Sequence, residues 1–187
     1  MSKKWSIDEL QDIWQLASNL HSGQKYGGAN KEEQVEYINH IGSVTFEILK
    51  AIEIDENLDS DLAIKCAVLH DTVEDTGLSI EDVKNRFGED VANGVLALSK
   101  TEDESVEDKM TDSLMRIKRQ PKEIWAVKMA DRVCNLYAPP FYWNNVKKKA
   151  YLEEARVIHD ELKLGCSYLA DRLVEKIERY KKFISEE

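Results

Sequence analysis

An apolar period of three to four residues runs along almost the entire chain and constrains the fold more than any other feature. Near the amino terminus, Ser6 and Glu9 form a capping-box sequence, and Leu10, Ile13 and Ala17 then mark one helical face. Only 3 prolines and 8 glycines occur in 187 residues, a composition that disfavours a turn-rich β-sandwich. The sequence therefore predicts an all-α protein.

The same period, combined with capping and helix-breaking residues, gives the order of the helices. We predict helices over about 7–23, 35–53, 62–75, 79–88, 89–98, 106–120, 122–136, 146–164 and 167–184. Residues 24–34 are polar and contain glycine, so they predict a loop, and no segment predicts a strand. Gly88 is expected to end one helix, and Pro121 to occupy the first position of another. Because the length suits one domain, we expect a compact single-domain bundle of about 8–10 helices over residues 1–187.

The charge balance and the apolar runs limit the partners of the chain. Asp and Glu total 36 against 26 Lys and Arg, a net charge of −10, whereas nucleic-acid binding depends on a basic surface. No apolar run approaches the roughly 18 residues of a membrane span, and the amino terminus lacks the apolar core of a signal peptide. We therefore expect a cytoplasmic protein with no nucleic-acid or membrane partner. Assembly into a homo-oligomer stays open.

The three cysteines predict neither a disulfide framework nor a thiolate zinc site. Cys66, Cys134 and Cys166 are odd in number and far apart, and each lies inside an apolar helical pattern. We expect all three to be buried and unreactive.

Histidine and acidic residues gather at the end of one apolar segment. His70 and Asp71 follow the apolar residues 66–69, and Glu74 and Asp75 come one helical turn later, so four polar groups would cluster on adjoining faces. A buried imidazole beside three carboxylates needs a partner, because an unpaired buried charge is costly. A divalent cation would supply one.

A second polar pattern follows at Lys128, Asp131, Arg132 and Asn135, which share a helical face at spacings of three and four residues. One carboxylate flanked by two cations and an amide suits a metal ligand surrounded by phosphate-binding donors. A solvated face of ion pairs fits the spacing equally well. From the residues alone, both interpretations stay open.

These segments together resemble the HD-domain metal-dependent phosphohydrolases, whose H…HD…D pattern is reproduced by His40, His70, Asp71 and Asp131. The similarity is closer still to the hydrolase domain of RelA/SpoT proteins and to the stand-alone small alarmone hydrolases. It is strongest over residues 21–136. The segments that match are His21-Ser22-Gly23-Gln24 (HxGQ), Tyr37-Ile38-Asn39-His40 (YIxH), residues 69–76 (LLHDxxEDT), Phe87-Gly88 (FG) and residues 128–136 (KLADRxxNL).

The resemblance implies a role for each acidic or imidazole group. The four residues of the H…HD…D pattern would hold one divalent metal, which is usually Mn²⁺ in the alarmone hydrolases; iron, cobalt and zinc also suit two imidazoles and two carboxylates. The ion would lower the pKa of its bound water. Glu74 and Asp75 match the acidic pair that orients and deprotonates this water, and they are the implied catalytic residues.

The substrate-binding residues implied by the resemblance are Lys25, Tyr26, Lys128, Arg132 and Asn135. Two departures from the family pattern affect this part of the site. Tyr26 stands where the family has an arginine, and the link over residues 27–36 is longer than usual and acidic in its second half. We therefore expect metal-dependent phosphoester hydrolysis but relaxed specificity for guanine.

The function implied by the resemblance is removal of the 3′-pyrophosphate from (p)ppGpp-like alarmones, the nucleotides of the stringent response. An alternative is an HD phosphohydrolase of another nucleotide or phosphorylated metabolite. A second alternative is a non-catalytic nucleotide sensor with an HD fold. Glu74 and Asp75 favour an enzyme, because a binding module needs neither.

Overall fold

The computed structural model describes residues 4–100 and 108–184 of the chain. Its α-helices are α1 (Ile7–Leu20), α2 (Ile38–Ile54), α3 (Ser60–Leu69), α4 (Thr72–Asp75), α5 (Ile80–Phe87), α6 (Glu89–Leu98), α7 (Lys109–Lys118), α8 (Lys122–Asn135), α9 (Asn145–Leu162) and α10 (Ser167–Tyr180). A 3₁₀ turn over Lys181–Phe183 follows α10. The all-α prediction is confirmed, with ten α-helices in the described ranges.

Several helix ends lie where the capping residues predict them. The Ser6 hydroxyl accepts a hydrogen bond from the Glu9 amide at the start of α1. Ser79 and Asp82 form a reciprocal capping box at α5, and Gly88, with φ of +93°, separates α5 from α6. These ends are fixed by local chemistry, which is why the sequence locates them.

Two further ends differ slightly from the prediction. Pro121 precedes α8 at the N-cap, one position before its expected place. Residues 106 and 107, where the helix predicted over 106–120 was expected to begin, lie outside the described residues. Within them, α7 begins at Lys109, after Asp108, whose carboxylate accepts hydrogen bonds from two first-turn amides.

The core lies between α2, α3 and α8. Helix α3 is buried on most of its surface and packs against α1, α2, α6 and α8, while α9 and α10 cover α8 from the other side. Small residues allow close approach. A Cβ on Gly94 of α6 would lie 2.5 Å from Ile124 of α8 and 2.8 Å from the Cys66 sulfur of α3. Packing of this density holds the ends of α3 and α8 in fixed positions.

The prediction of a single helix over 62–75 is wrong. The structure has two helices there, α3 and α4, separated at His70 and Asp71. The reason is local. The His70 Nδ1 lies 2.8 Å from the Ala67 carbonyl oxygen, and the Thr72 hydroxyl donates to the Leu69 carbonyl at 2.7 Å. Side chains therefore occupy carbonyls that a continuing helix would bond to its own amides. The break turns the acidic residues of α4 toward the end of α8.

The loop predicted over 24–34, and the absence of strands, are also wrong in part. Strands β1 (Lys25–Tyr26) and β2 (Val35–Glu36) form an antiparallel pair. Helix α2 consequently starts at Ile38, three residues later than predicted. Strands of two residues show no period in sequence, and their pairing depends on the positive φ of Gly27 and Gly28.

The cysteine prediction holds for two of the three residues. Cys66 and Cys166 are buried, whereas Cys134 is half-buried and faces a cavity. In the ranges 4–100 and 108–184, none of the helices combines the length and the apolar character that a membrane crossing needs.

Candidate metal centre and active site

Two imidazoles and one carboxylate from three helices converge on a single point. His40 comes from the first turn of α2, His70 from the end of α3, and Asp131 from α8, and their ligand atoms all lie within 4.8 Å of one another. The two Nε2 atoms are 3.3 Å apart, and the Asp131 Oδ1 is 3.3 Å from the His40 Nε2. All three residues are buried.

A second carboxylate borders this group. The Asp71 Oδ2 lies 2.9 Å from the His70 Nε2 and 3.6 Å from the His40 Nε2. The same oxygen accepts a hydrogen bond of 2.6 Å from the Tyr37 hydroxyl. The structure thus brings together the four residues of the H…HD…D pattern, with Asp71 at the edge.

Opposite charges stabilise one another inside this cluster. Burial alone would lower the pKa of His70, but Asp71 and Asp131 outweigh it and raise that pKa to about 9. Burial would raise the pKa of Asp71, yet the neighbouring His70 holds it well below its usual range. The pKa of Asp131 is likewise lowered against its burial, chiefly by Lys128 and His40. The site therefore favours positive charge at its centre.

The donor atoms fit a divalent cation. The Ala67 carbonyl can only accept, so the His70 Nδ1 carries a proton and its Nε2 faces the cluster. Two Nε2 atoms at 3.3 Å with carboxylates beside them need either a proton or a cation between them. Imidazole nitrogen with carboxylate oxygen, and no thiolate, is a donor set that divalent transition metals accept.

The acidic pair predicted as catalytic lies beside the cluster on α4. Glu74 accepts a hydrogen bond of 2.8 Å from the Lys100 amide and forms an ion pair with the Lys100 ammonium group. Asp75 is exposed as a residue, but partial desolvation of its carboxylate, with the charges of Asp71 and Glu74 nearby, raises its pKa. Both acids line a cleft of about 360 Å³ that also includes His70, Asp71 and Asp131, whereas His40 lines a neighbouring cavity.

Cationic side chains line the same cleft. The Lys128 ammonium group lies 3.5 Å from the Asp131 Oδ2, and Lys100 and Lys109 also line the cleft. A phosphate group in the cleft would therefore meet positive charge close to the imidazole cluster.

Arg132 is oriented differently from the prediction of a substrate contact. Its guanidinium lies 3.8 Å from the centre of the Tyr151 ring, donates to the Tyr151 carbonyl at 3.3 Å and pairs with Glu154 at 3.2 Å. The residue is 5% exposed, although it lines the cleft. It anchors α9 against α8 at the edge of the site.

Asn135 and Tyr26 form a wall of the site. The Asn135 amide donates to the Asp131 Oδ1 at 2.5 Å, and its oxygen accepts a hydrogen bond of 3.2 Å from the Tyr26 hydroxyl. Lys25, by contrast, forms an ion pair with Glu36 across the hairpin and lines neither of the two cavities that flank Tyr26. The structure thus places Lys25 outside both cavities, apart from the other predicted substrate-binding residues.

A larger cavity of about 570 Å³ lies on the other side of this wall and was not predicted. Its lining is mostly apolar, and it includes Tyr26, Val35, Phe46, Val133, Cys134 and Tyr137. We refer to it as the apolar chamber, and to the cavity of 360 Å³ as the polar cleft. No periodic signal marks the chamber, because its lining comes from the hairpin, α2, α8 and α10.

The HxGQ segment contacts the site indirectly, a role that the sequence did not reveal. The His21 Nδ1 lies 2.7 Å from the Gln24 side-chain oxygen, and the Gln24 amide donates to the Asp75 carbonyl at 2.8 Å. The His21 ring packs 5.0 Å from that of Tyr37, which holds Asp71. The segment thus connects the hairpin to the acidic turn.

Comparisons with known proteins agree with this geometry. A family model described as HD domain matches residues 14–157. The guanosine-3′,5′-bis(diphosphate) 3′-pyrophosphohydrolase MESH1 of Drosophila melanogaster is 29% identical over 163 residues, which cover 83% of this chain and 85% of that protein. The guanosine-3′,5′-bis(diphosphate) 3′-pyrophosphohydrolase of Aquifex aeolicus is 28% identical over 153 residues, 80% of this chain but 20% of that protein.

A solved structure has the same fold. It is described as a metazoan ortholog of SpoT that hydrolyzes ppGpp, and it superposes with a TM-score of 0.78 at 22% identity, covering 95% of this chain and 98% of that one. The range matched by the HD domain model, residues 14–157, includes the imidazole and carboxylate cluster, the acidic pair and the hairpin.

Proposed function

The chain belongs to the HD domain family, and on that premise we propose that it is a metal-dependent nucleotide pyrophosphohydrolase acting on ppGpp-like alarmones. The observation that carries the proposal is the convergence of His40, His70 and Asp131 within 4.8 Å, beside a cleft lined by cations and an acidic pair. Relatives that share over four-fifths of their length with this chain are named as ppGpp 3′-pyrophosphohydrolases.

The proposal assigns His40, His70, Asp71 and Asp131 as ligands of one divalent ion. Manganese is the ion we propose, since the family resemblance implies it and this donor set suits it; iron, cobalt and zinc suit the same donors. When bound, the ion supplies a water of lowered pKa and positive charge next to the reacting phosphate.

Glu74 and Asp75 are proposed to orient and deprotonate the attacking water. Both border the cluster, and a base works best when its pKa approaches the operating pH. The pKa of Asp75 is raised from its ordinary value, which brings it closer to the operating pH. Glu74 is held by two groups of Lys100, so its carboxylate has a fixed orientation toward the cleft.

The leaving pyrophosphate is proposed to lie among Lys100, Lys109 and Lys128. The net charge of −10 does not oppose this, because screening limits remote charges to about 8 Å at physiological salt. Arg132 adds positive charge and fixes α9, with its two terminal nitrogens donating to Tyr151 and Glu154. Asn135 is the group we propose to contact the sugar.

The domain boundaries are part of the proposal. We take residues 1–187 as one HD domain, since α9 and α10 continue beyond residue 157 and pack against α8, which carries Asp131.

The experiment that tests the function is incubation of the Mn²⁺-loaded protein with ppGpp, with nucleotides and inorganic products separated by anion exchange. We expect GDP and pyrophosphate in equal amounts. The matched control is Glu81→Gln, an exposed acid on α5, beside Glu74→Gln. Release of orthophosphate instead of pyrophosphate, or no GDP, would contradict the proposal.

A second candidate is hydrolysis of another nucleotide or phosphorylated metabolite at the same centre. It is favoured by Tyr26, which stands in the position of the family's arginine and closes the wall with Asn135. A panel of nucleotides in the same assay separates the two candidates, and nucleotide binding without turnover would indicate a sensor.

A further inference from the structure

Tyr26 occupies the boundary between the apolar chamber and the polar cleft. Its ring centroid is 4.8 Å from that of His40 and 5.8 Å from that of Tyr37, to which it is perpendicular. Its hydroxyl reaches the Asn135 oxygen at 3.2 Å. Tyr26 lines the chamber and Asn135 lines the cleft, so the bond between them separates the two cavities at this point.

This position is the one a ligand's sugar has to enter. One N–H of the Asn135 amide donates to Asp131, and the amide oxygen is an acceptor for a ligand hydroxyl on the side that Tyr26 occupies. Tyr26 donates to that oxygen from the chamber side. A nucleotide that lies in the polar cleft and extends past Asn135 toward the chamber therefore meets Tyr26.

We propose that Tyr26 is a specificity-determining partition, displaced by ligands that carry a sugar hydroxyl and a neutral ring. Its hydroxyl holds the place of the ligand hydroxyl on Asn135, and displacement joins the polar cleft to the apolar chamber. The inference rests on the proposed function. It changes the role of Tyr26 from a substrate contact to a group that the substrate replaces.

The chain around Tyr26 allows this displacement. β1 contains Lys25 and Tyr26 alone, and Gly27 and Gly28 follow with φ of +68° and +80°. A Cβ on Gly27 would meet no atom within 4 Å, so there is open space beside the strand. The partition is attached to a two-residue strand, whereas Asn135 belongs to a packed helix.

Selectivity among ligands depends on which groups replace the contacts that Tyr26 loses when it is displaced. A nucleotide can give Asn135 a sugar hydroxyl in exchange for the Tyr26 hydroxyl and place its ring in a chamber with an apolar lining. Inorganic pyrophosphate offers neither group and leaves Tyr26 in place. The partition therefore penalises phosphate compounds that lack a nucleoside.

The test compares Tyr26→Phe with wild type, and with Tyr142→Phe as the control. Tyr142 is 71% exposed and lines neither cavity. With the hydrogen bond to Asn135 removed, the Kd for GDP and the KM for ppGpp should each fall about three- to tenfold. The gain appears in KM rather than in kcat, and the affinity for pyrophosphate stays as in wild type. An unchanged or raised Kd for GDP in Tyr26→Phe would overturn the inference.

A spectroscopic measurement separates this inference from the proposed function. With 3-fluorotyrosine at position 26, saturating GDP should shift the fluorine resonance, while pyrophosphate should leave it unmoved. A shift without any nucleotide turnover would overturn the proposed function alone. A resonance that stays fixed at saturating GDP would overturn the role of Tyr26 alone. If GDP binds neither the wild type nor the labelled protein, both the role of Tyr26 and the proposed function are overturned.

Discussion

The end of α3 and the hairpin β1–β2 approach the same site from opposite sides, and they are built in different ways. At the end of α3, each reactive group is held from a second direction: the His70 Nδ1 by the Ala67 carbonyl, and Asp71 by the Tyr37 hydroxyl. The first of these contacts is buried and the second is partly buried. The imidazole and carboxylate groups are therefore already in position before any ligand arrives.

The hairpin has little to hold it in place. Its strands contain two residues each, and the Lys25–Glu36 ion pair that joins them is about half exposed. An exposed pair of this kind contributes about 1 kcal/mol at most. The comparison suggests a division of tasks, in which the helices fix the chemistry and the hairpin selects the ligand.

The largest effect is expected from breaking the helical side at Asp131. Asp131→Ala removes a carboxylate that contacts His40, accepts a hydrogen bond from Asn135 and forms an ion pair with Lys128. Metal content measured by elemental analysis should fall from about one ion per chain to under about a tenth, and hydrolysis should fall to background. Asp160→Ala, at an exposed acid of α9, is the control. Full metal occupancy in the Asp131 variant would refute the ligand assignment.

The second effect separates the base from the ligands. Glu74→Gln keeps the shape of the side chain but removes the charge paired with Lys100. We expect kcat to fall about 10²–10⁴-fold while the metal content is retained, the range typical of general acid–base catalysis. Single-turnover kinetics and elemental analysis on the same preparation measure both quantities. Hydrolysis at the wild-type rate would show that Glu74 has no part in activating water.

The third effect tests the contact that joins the two regions. Tyr37→Phe removes the 2.6 Å hydrogen bond to Asp71 but leaves the ring packed against His21 and Tyr26. Loss of such a supporting bond costs about 10–100-fold in metal affinity or activity. Titration with Mn²⁺ measures the affinity directly. If the affinity is unchanged, Asp71 is positioned by other groups, and the helical side is more independent of the hairpin than the structure indicates.

The same division explains which parts of the molecule could be predicted from the sequence. Helix ends with local caps, such as Ser79 and Gly88, were predicted because the signal and the structure lie within a few residues. The division of α3 from α4 was not, since it depends on bonds from the His70 ring and the Thr72 hydroxyl. Helical spacing put Arg132 on the face of Asp131, but its partners lie in α9.

The hairpin was the least predictable region. Its strands are too short to show alternation, and the pairing of Lys25 with Glu36 spans eleven positions. The resemblance located Tyr26 as a departure from the family pattern but could not reveal its bond to Asn135. That bond joins residues 109 positions apart, and the fold alone brings them together.

The smallest effect is expected from altering the hairpin side, and it bears on specificity. Tyr26→Arg replaces a ring and one hydroxyl with a cationic plane and five donors, which are not equivalent for holding a nucleotide. We expect the preference for ppGpp over its adenine analogue to rise about tenfold, roughly 1.4 kcal/mol, with metal content unchanged. The measurement is kcat/KM for both substrates in the two proteins. A wild-type preference for guanine above about 10³-fold would place recognition in the helical side, and the division between the two regions would then fail.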